Sequence, residues 1–337
     1  MHESVSIVIP NWNGRDLLLA CLHSLEKQVY RDHRVYVVDN GSSDGSVAAV
    51  TAEFPEVVLI SLPENLGFAR AMNIGFARCA GAYLVALNND TTVDVNWLKA
   101  LMSVMERCPE IDFAVSMILC HDDPAIIDCI GDGFGWAGLS FKIADRAPYS
   151  DQFDEPFEVL SACAAAAIYR RQVIEATGGF DESFFAYMED VDLSLRARLA
   201  GFRCFAIPAA VVHHVGSAST GGDTSAFSIR MTAKNLIFVL GKTIPSPLVF
   251  LMLPLVVAAQ ILLLFLCLTT SRFPGLRRNL GAYASGLRAG FHGLPEMLRK
   301  RAAVQTQRKI TVAAFARMIR LSEAQKRTSM PQAIRWR

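Results

Sequence analysis

Short apolar runs alternate with amphipathic stretches through the first part of the chain. The run at 83–87, YLVAL, has no polar interruption, which is typical of a strand buried on both faces of a parallel sheet. Strands that alternate with helices about every twenty to thirty residues indicate βαβ units and an α/β fold with a mostly parallel sheet. We predict strands at 5–10, 33–39, 57–62 and 83–87, and helices at 17–25, 68–79 and 95–105.

Polar, turn-forming residues follow each of these predicted strands. Ligands of an open α/β sheet bind outside the carboxyl ends of its strands, so the strand ends predict a crevice suited to a nucleotide. Asp39 could accept a hydrogen bond from a base imide or a ribose hydroxyl; the alternative is an ordinary Asx turn and helix cap between Asp39 and Asp44. Arg70 either reaches a phosphate or lies on a solvated helix face. The predicted donor-binding loop residues are Asp39, Asn40, Ser42, Asp44, Asn65, Gly67, Arg70 and Asn73.

Asn88, Asn89 and Asp90 directly follow the buried strand. A carboxylate flanked by amides suits a hard divalent cation that is shared with a phosphate. The alternative is a helix cap, in which Asp90 or Thr92 opens the helix at 95–105. No GxGxxG follows the first strand and no GxxxxGK[ST] occurs in the sequence, which disfavours a nicotinamide dehydrogenase and a P-loop ATPase.

The stretch 178–201 combines carboxylates with aromatic residues. Glu189, Asp190 and Asp192 occupy the first turn of a helix predicted at 190–201. Acidic residues favour helix N-termini, which accounts for one or two of them, and a carboxylate beside a sugar-sized pocket could act as a general base. Phe184, Phe185 and Tyr187 are predicted to wall that pocket, and Arg196 and Arg198 to be available to solvent.

Two adjacent histidines, His213 and His214, follow a predicted short strand. A lone histidine is usually structural, whereas this pair, followed by glycine and two serines, is more typical of a metal or phosphate contact. The stretch 121–158 shows no clear period and is predicted to be an irregular insertion or acceptor-side loop. The small-residue run at 161–168 predicts a buried strand or helix.

Six sequence blocks occur in the order found in family 2 glycosyltransferases with the GT-A fold. They are VSIVIPNWN, VVDNGSSDGS, NLGFARAMNIG, LNND, GGFDESFFAYMEDVDLSLR and VVHHVGSAS, and they cover about residues 4–220. Within the family the chain resembles the bacterial rhamnosyltransferase-like branch, which builds cell-surface polysaccharides. The resemblance implies transfer of a sugar from a nucleoside-diphosphate donor, dTDP-rhamnose or a UDP-sugar, with inversion at the anomeric carbon and with Mg²⁺ or Mn²⁺ as cofactor.

The resemblance also implies roles for individual residues. Asp190, of the Glu189-Asp190 pair, matches the catalytic base of the family. Asp90 matches the last residue of the family's DxD metal motif, which here has one carboxylate instead of two. His214, or His213 in the other register, matches a histidine near the metal or the diphosphate. The nucleoside-binding positions are matched by Pro10, Asn11, Asn13, Asp39 and Asn40, and Asn88 and Asn89 complete the predicted donor-binding set.

The net charge of +1 conceals an uneven distribution. Residues 1–271 carry 18 Lys and Arg against 30 Asp and Glu, whereas residues 272–337 carry 15 against 2. A basic tail on an acidic body indicates an anionic partner, and because few aromatic residues interrupt the tail, nucleic acid is not expected. The eight cysteines form no CxxC pair, which predicts free thiols in a reducing compartment.

An uncharged apolar segment of 21 residues, 248–268, precedes the basic tail. Its length is that of a transmembrane helix, but a single crossing would place the basic tail on the far side, against the positive-inside rule. We therefore predict a re-entrant hairpin kinked near Pro254 or a helix that lies in the membrane interface; a buried core helix is the alternative. No signal peptide is recognised at the start of the sequence, so we expect the cytoplasmic face of the inner (plasma) membrane of a bacterium and a lipid-linked or other glycan acceptor.

The predicted organisation is a GT-A catalytic domain at 1–225 and a helical membrane-association region at 226–337. Within the catalytic domain we predict a nucleotide-sugar half at 1–110 and an acceptor and catalytic half at 111–225. The alternative function is a catalytically inactive sugar-nucleotide-binding scaffold subunit of a polysaccharide assembly complex, because one carboxylate stands where the family has two.

Overall fold

Parallel strands and helices alternate in the first third of the protein. The computed structural model describes residues 4–149, 153, 155–216, 225–269 and 274–327. The first elements are β1 (Val5–Asn11), α1 (Arg15–Glu26), β2 (His33–Asp39), α2 (Ser46–Glu53), β3 (Val58–Ser61), α3 (Phe68–Arg78) and β4 (Tyr83–Leu87). β1 pairs in parallel with β2 and β4, and β3 pairs in parallel with β2. The predicted βαβ pattern is confirmed, because each apolar run forms a strand of this sheet.

The second third of the protein adds shorter strands and antiparallel pairs. Its elements are β5 (Thr91–Val93), α4 (Trp97–Arg107), β6 (Phe113–Cys120), β7 (Ile127–Cys129), β8 (Asp132–Phe134), β9 (Ser140–Lys142), β10 (Phe157–Glu158), β11 (Ala166–Arg170), α5 (Arg171–Thr177), α6 (Glu189–Leu199) and β12 (Cys204–His214). The main sheet has the order β10-β12-β6-β11-β4-β1-β2-β3, with β5 on β12 and β7 on β6. β11 is antiparallel to both of its neighbours, and β12 is parallel to β6. The sheet is therefore mixed, with parallel strands on each side of β11.

Helices cover the sheet, so its central strands are buried on both faces. Ile7, Val85 and Ile168 have no exposed surface. Trp97 is also fully buried and donates its indole N–H to Ser116 Oγ at 2.9 Å, which satisfies the one polar atom that this large side chain brings into the core. All eight cysteines are free thiols, as predicted.

Two local interpretations of the sequence are wrong: the helix cap at Asp90 and the irregular stretch at 121–158. The chain enters β5 at once, and α4 begins only at Trp97, so Asp90 does not cap that helix. The stretch 121–158 is not irregular throughout, since it contains the short strands β7 to β10. Strands of two or three residues leave too little alternation to be detected in a sequence.

Arg196 and Arg198 lie inside the protein, contrary to the prediction that they are available to solvent. Arg196 pairs with Asp192 one helical turn earlier, Nη2 to Oδ2 2.8 Å, and Arg198 pairs with Glu158, Nη2 to Oε1 2.5 Å. Buried charges are tolerated when they are paired and hydrogen-bonded. α6 carries these pairs because it is enclosed on all sides, which its mixed polar sequence did not indicate.

Five helices follow β12 among the described residues, and the last of them packs against the strands of the second third of the protein. They are α7 (Ala226–Lys242), α8 (Ser246–Thr269), α9 (Pro274–Arg278), α10 (Leu280–Thr306) and α11 (Val312–Arg327). α11 reaches β8, where Ser322 Oγ accepts the backbone N–H of Phe134 at 3.0 Å and Glu323 accepts that of Trp136 at 2.8 Å. α8 continues through Pro254 as a single helix, so the predicted hairpin is not formed.

A second buried cluster joins the C-terminal helices to α6. Val191, Leu195 and Leu199 of α6 belong to this cluster, together with residues of α7, α8, α10 and α11. Leu193 and Ala197 of the same helix belong to the core that surrounds the main sheet. α6 is therefore the wall that two hydrophobic cores share.

Candidate active site

A buried hydrogen-bond network connects the carboxyl ends of β1 and β2. The parallel register places Asn11 opposite Asp39, and the Asn11 amide donates to Asp39 Oδ1 at 3.1 Å and to Ser42 Oγ at 3.2 Å. The other oxygen of Asp39 accepts the backbone N–H of Ser42 at 2.9 Å. Pro10 precedes Asn11 as the penultimate residue of β1. These predicted donor-binding residues are thus brought together at the carboxyl ends of β1 and β2.

Asn89 connects this network to the end of β4. Its amide donates to Asn11 Oδ1 at 2.7 Å, directly beside Gly14. A Cβ added at Gly14 would lie 2.4 Å from Asn89 Nδ2, so only glycine allows this approach. Asn13 lies exposed at the rim, and its Oδ1 accepts the backbone N–H of Ser43 at 2.8 Å. Gly14 is not among the predicted site residues, although a glycine at the end of a polar cluster after a strand is a usable signal.

Asn40 ties the loops after β2 and β3 together. Its side chain donates to Asn65 Oδ1 at 3.0 Å and to the Gly67 carbonyl at 3.2 Å, and it accepts the N–H of Leu66 at 2.9 Å. Gly67 has a φ of +87°, and a Cβ there would lie 2.6 Å from the ring of Phe185. These three predicted donor residues shape the loop that meets Phe185.

Asp44, Arg70 and Asn73 have partners within the protein. Asp44 accepts the first backbone N–H groups of α1 and α2, at 2.8 and 3.1 Å, so it caps both helices. Asn73 donates to the Phe180 carbonyl at 2.8 Å, and Arg70 Nε lies 3.6 Å from Glu182 Oε2. They hold the loops around the crevice, and their contact with a donor stays a prediction.

The register of β5 on β12 brings Asp90 to His214. His214 lies opposite the residue after Asp90, and the Asp90 carbonyl accepts the N–H of Val215 at 3.0 Å. His214 Nε2 lies 3.2 Å from Asp90 Oδ1, and both side chains are almost buried. His213 points to the other face of the strand, where its Nε2 lies 3.1 Å from Asp94 Oδ1. The structure therefore places His214, and not His213, beside Asp90.

A carboxylate and a lysine behind His214 fix the orientation of its ring. Nδ1 of His214 lies 3.0 Å from Asp128 Oδ2, and Lys142 Nζ donates to the other oxygen of Asp128 at 2.7 Å. Burial lowers the pKa of His214, but the hydrogen bonds to Asp128 and Asp90 more than offset this and raise it to about 9. Asp128 and Lys142 were missed in the sequence, because they come from the stretch without a clear period.

Asp190 lies at the N-terminus of α6 and accepts two backbone hydrogen bonds. The N–H of Ala164 donates to its Oδ2 at 3.1 Å, and the N–H of Val191 donates to its Oδ1 at 2.8 Å. Its side chain is partly exposed. Burial raises the pKa of Asp190, and these hydrogen bonds and the charge of Lys142 oppose the rise without cancelling it.

Two further carboxyl groups, those of Asp132 and Glu189, stand near Asp190 but are buried. Burial and the negative charge of Asp190 raise the pKa of both well above the ordinary values. Glu189 Oε2 meets no hydrogen-bond donor among the described residues. We therefore expect Asp132 and Glu189 to hold protons while Asp190 is ionised, which makes Asp190 the group in this cluster that can accept a proton.

The segment before α6 is held in an unusual backbone conformation. Phe185, Tyr187 and Met188 have φ values of +67°, +68° and +63°, which are costly for residues other than glycine. The side-chain amide of Asn235, fully buried in α7, donates to three carbonyls of 184–187 at 2.6 to 3.1 Å. A helix beyond the predicted catalytic domain therefore restrains the segment that carries Glu189 and Asp190.

Only two of the three aromatic residues predicted to wall a pocket lie near the surface. Phe184 is fully buried in the second core. Phe185 and Tyr187 are partly exposed and contact Phe227 of α7, with ring centroids 6.1 and 6.2 Å apart.

The predicted metal-binding and catalytic carboxylates are connected through residues 164 and 165. The backbone N–H of Asn88 donates to the Ala165 carbonyl at 2.9 Å, and the residue before Ala165 donates to Asp190. On the other side, Lys142 binds the carboxylate behind His214 and also acts electrostatically on Asp190. These contacts link the residues predicted to bind a cation with the residue predicted to accept a proton.

Comparison with known proteins agrees with this arrangement. The sequence model of Glycosyl transferase family 2 matches residues 6–178. The O-antigen biosynthesis protein RfbC of Myxococcus xanthus is 30% identical over 227 residues, which cover 65% of this chain and 18% of that protein. The N-acetylglucosaminyl-diphospho-decaprenol L-rhamnosyltransferase of Mycobacterium tuberculosis is 28% identical over 247 residues, which cover 66% of this chain and 80% of that enzyme.

Solved structures resemble this fold over almost the whole chain. Staphylococcus aureus TarS 1–349 has a TM-score of 0.55 at 14% identity, and the match covers 96% of this chain and 91% of the TarS chain. The mannosyltransferase PcManGT from Pyrobaculum calidifontis, in complex with GDP-Man and Mn²⁺, has a TM-score of 0.52 at 16% identity. The match covers 96% of this chain and 86% of the PcManGT chain. The fold is that of the GT-A glycosyltransferases. Since the family match spans half of the chain, the protein belongs to glycosyl transferase family 2.

Proposed function

We propose that this protein is an inverting glycosyltransferase that builds cell-surface polysaccharide. It would move a sugar from dTDP-rhamnose or a UDP-sugar to a lipid-linked glycan acceptor. The observation that carries the proposal is a short chain of contacts between the two candidate sites. Ala164 donates to Asp190, and the next residue, Ala165, accepts the N–H of Asn88, two residues before Asp90 of the Asp90–His214 pair. The name of the Mycobacterium tuberculosis relative, a rhamnosyltransferase with a diphospho-decaprenol substrate, supports the donor and acceptor classes.

The residues after β4 fit a divalent cation, Mg²⁺ or Mn²⁺. A carboxylate oxygen of Asp90 and Nε2 of His214 face each other at 3.2 Å, and an oxygen with an imidazole nitrogen is a donor set that suits Mn²⁺. Asp128 holds the other ring nitrogen, as carboxylates commonly do behind metal-binding histidines. When bound, the cation supplies positive charge to the departing diphosphate.

The acid cluster accounts for the proton that the acceptor must lose. Asp190 takes the hydroxyl proton while the acceptor oxygen forms its bond to the anomeric carbon. The bond between that carbon and the diphosphate breaks in the same step, and the bonding electrons leave with the nucleoside diphosphate. One displacement of this kind inverts the anomeric configuration. The network of Asn11, Asp39 and Ser42 is positioned to hold the nucleoside side of the donor.

The exposed helix α8 supports attachment to a membrane surface. It is the one helix among the described residues that is long and apolar enough to cross a membrane, and 17% of its apolar window is buried. Phe250, Ile261 and Phe265 are 59 to 77% exposed. Because large exposed apolar patches are rare on soluble monomers, this exposure favours contact of α8 with a membrane. α7 and α11, on either side of α8 in the chain, both bind the catalytic half. The proposed position of α8 is therefore in the interface, at the cytoplasmic face of the inner membrane of a bacterium.

Asp190→Asn tests the proposed base while nearly keeping the shape of the side chain. We expect the release of nucleoside diphosphate from dTDP-rhamnose or a UDP-sugar, with a lipid-linked acceptor, to fall about 10²- to 10⁴-fold. The rise in melting temperature on adding dTDP or UDP with Mn²⁺ should persist. Glu106→Gln makes the same chemical change on the exposed side of α4 and should alter neither measurement.

Two outcomes would contradict the proposal. Turnover near the normal rate in Asp190→Asn would remove the role of Asp190. Nucleotide binding by the unaltered protein without turnover of any donor in the panel would instead support the non-catalytic scaffold subunit.

A further inference from the structure

An open groove of about 660 Å³ lies between α7 and α10, outside the crevice described above. Half of its lining carries or can carry positive charge, and the rest is small. The lining residues are Arg230, Ala284, Ser285, Arg288, Ala289 and His292.

Among the described residues, no carboxylate forms an ion pair with the cationic side chains of the groove. Arg230 and Arg288 are exposed, and no ion pair involves either of them within the described part of the chain. α7 contains no Asp or Glu, and the one acidic residue of α10, Glu296, pairs with Lys300 at 2.9 Å. His292 follows Arg288 by one helical turn. The groove therefore presents uncompensated cationic groups, which favour an anionic ligand.

Glycine residues bring the two helices into direct contact and fix the width of the groove. A Cβ added at Gly286 would lie 2.3 Å from the Arg230 carbonyl, and one added at Gly290 would lie 2.9 Å from the Lys234 carbonyl. This close contact between α7 and α10 places Arg230 and Arg288 along the same helix–helix interface. The groove is therefore formed by the packing of two helices and not by loops.

One side of the groove leads to the catalytic segment. Lys234, one helical turn after Arg230, donates to the Ser183 carbonyl at 2.8 Å. Burial and the charge of Arg230 lower the pKa of Lys234 to about 8, while the charge of Asp181 acts in the opposite direction. Arg230 and Lys234 are thus close enough to act on one another electrostatically, and Lys234 contacts the segment before α6.

The other side of the groove leads to the apolar helix α8. The hydroxyl of Tyr283 in α10 contacts Gln260 in α8, and Ala284, the next residue, lines the groove. Phe291, beside His292, is 64% exposed. Cationic and exposed apolar side chains therefore occur together at this point, between the proposed membrane face and the acid cluster.

We propose that this groove binds the diphosphate of a lipid-linked acceptor. Guanidinium groups pair with phosphate oxygens in a two-point geometry, and Arg230 and Arg288 can do so from opposite sides. The lipid chain would then run toward α8 and the bilayer, and the sugar toward Asp190. The inference rests on the proposed function and adds the residues that recognise the acceptor.

Binding of farnesyl diphosphate, a short isoprenoid diphosphate, tests the groove without any turnover. We expect Arg230→Gln and Arg288→Gln each to weaken its binding to the full chain about tenfold or more, because each removes one charge-assisted contact. Arg299→Gln removes the same charge from an exposed position of α10 outside the groove and should change the affinity less than twofold. Farnesol, which has no phosphate, should bind weakly to all of these proteins.

Competition with vesicles of phosphatidylglycerol distinguishes an acceptor site from a lipid headgroup site. Two results together would assign the groove to phospholipid headgroups and overturn the proposal. The vesicles would displace farnesyl diphosphate, and Arg230→Gln and Arg288→Gln would each lose vesicle binding to the same extent as they lose binding of farnesyl diphosphate. Unchanged affinity for farnesyl diphosphate in both groove variants would also overturn it. Donor turnover by the unaltered protein tests the proposed function separately, so the two proposals can fail independently.

Discussion

The carboxyl group of Asp190 and the two beside it, those of Asp132 and Glu189, differ in burial and in hydrogen bonding. Asp190 is partly exposed and receives two backbone N–H groups, whereas Asp132 and Glu189 are buried. Like charges at close range cannot all ionise together. The proton therefore leaves Asp190 first, and its two neighbours are kept neutral by the charge that it then carries.

The pH dependence of turnover should report the raised pKa of Asp190. A base is active when ionised, so kcat should rise with pH and level off above a pKa that is higher than the ordinary value for aspartate, about 3.9. Lys142→Gln removes a positive charge that lowers the pKa of Asp190, so its acid limb should move to higher pH. A kcat profile whose acid limb lies at or below pH 4, or does not move in Lys142→Gln, would contradict this ionisation order.

Asp90 and Asp190 were recognisable in the sequence because of their positions. Asp90 follows the end of a predicted strand, and Asp190 lies at the start of a predicted helix. Both belong to local patterns, an apolar run that stops at polar residues and an acidic first helical turn. Asp128 and Lys142 could not be found in this way, because their contact with each other and with His214 depends on pairing between strands that are distant in sequence. The choice of His214 over His213 likewise follows from the register of β5 on β12.

Most helices and long strands were predictable because their apolar period is carried by many residues. The strand β11 was left open between strand and helix, since alanine-rich runs have little β-branched or periodic signal. Burial of Arg196 and Arg198 was missed because most of their partners lie far back in the sequence. Arg196 donates to the carbonyls of Thr177 and Gly179, and Arg198 pairs with Glu158. A local pattern carries no information about such partners.

The contact between α7 and the segment before α6 should control turnover more than donor binding. Asn235→Ala removes the side chain that donates to three carbonyls of that segment. We expect the free energy of unfolding to fall by about 2 kcal/mol or more and kcat to fall more than the affinity for nucleotide, because positive φ values at Phe185, Tyr187 and Met188 lose their restraint.

Gln305→Ala provides the matched control for Asn235→Ala. Gln305 also donates from its side chain to a backbone carbonyl, that of Thr243 at 2.9 Å, but it joins α10 to the end of α7. This variant should lose stability and keep its kcat. Equal losses of kcat in the two variants, measured below both melting temperatures, would show that Asn235 has only a structural role.

At the scale of the whole molecule, the exposed face of α8 should decide where the protein resides. Replacing Phe250, Ile261 and Phe265 with serine together removes apolar side chains that are each worth about 1.5–3 kcal/mol when buried. We expect association with phosphatidylglycerol vesicles, measured by sedimentation, to fall at least about a hundredfold. Serine at Val29 and Val95, which are exposed valines outside α8, should have no such effect, and equal binding by all variants would contradict attachment through α8.

The position of α6 between two cores has a consequence for any attempt to produce the predicted catalytic domain, residues 1–225, as a free-standing unit. A fragment cut after β12 would bare Val191, Leu195 and Leu199 to water on the very helix that begins with Glu189 and Asp190. Its sheet would still close, but its catalytic helix would have lost one of the two surfaces that hold it. The distal helices are thus internal scaffolding of the enzyme, and shortened versions made for solubility should be poor stand-ins for the intact protein.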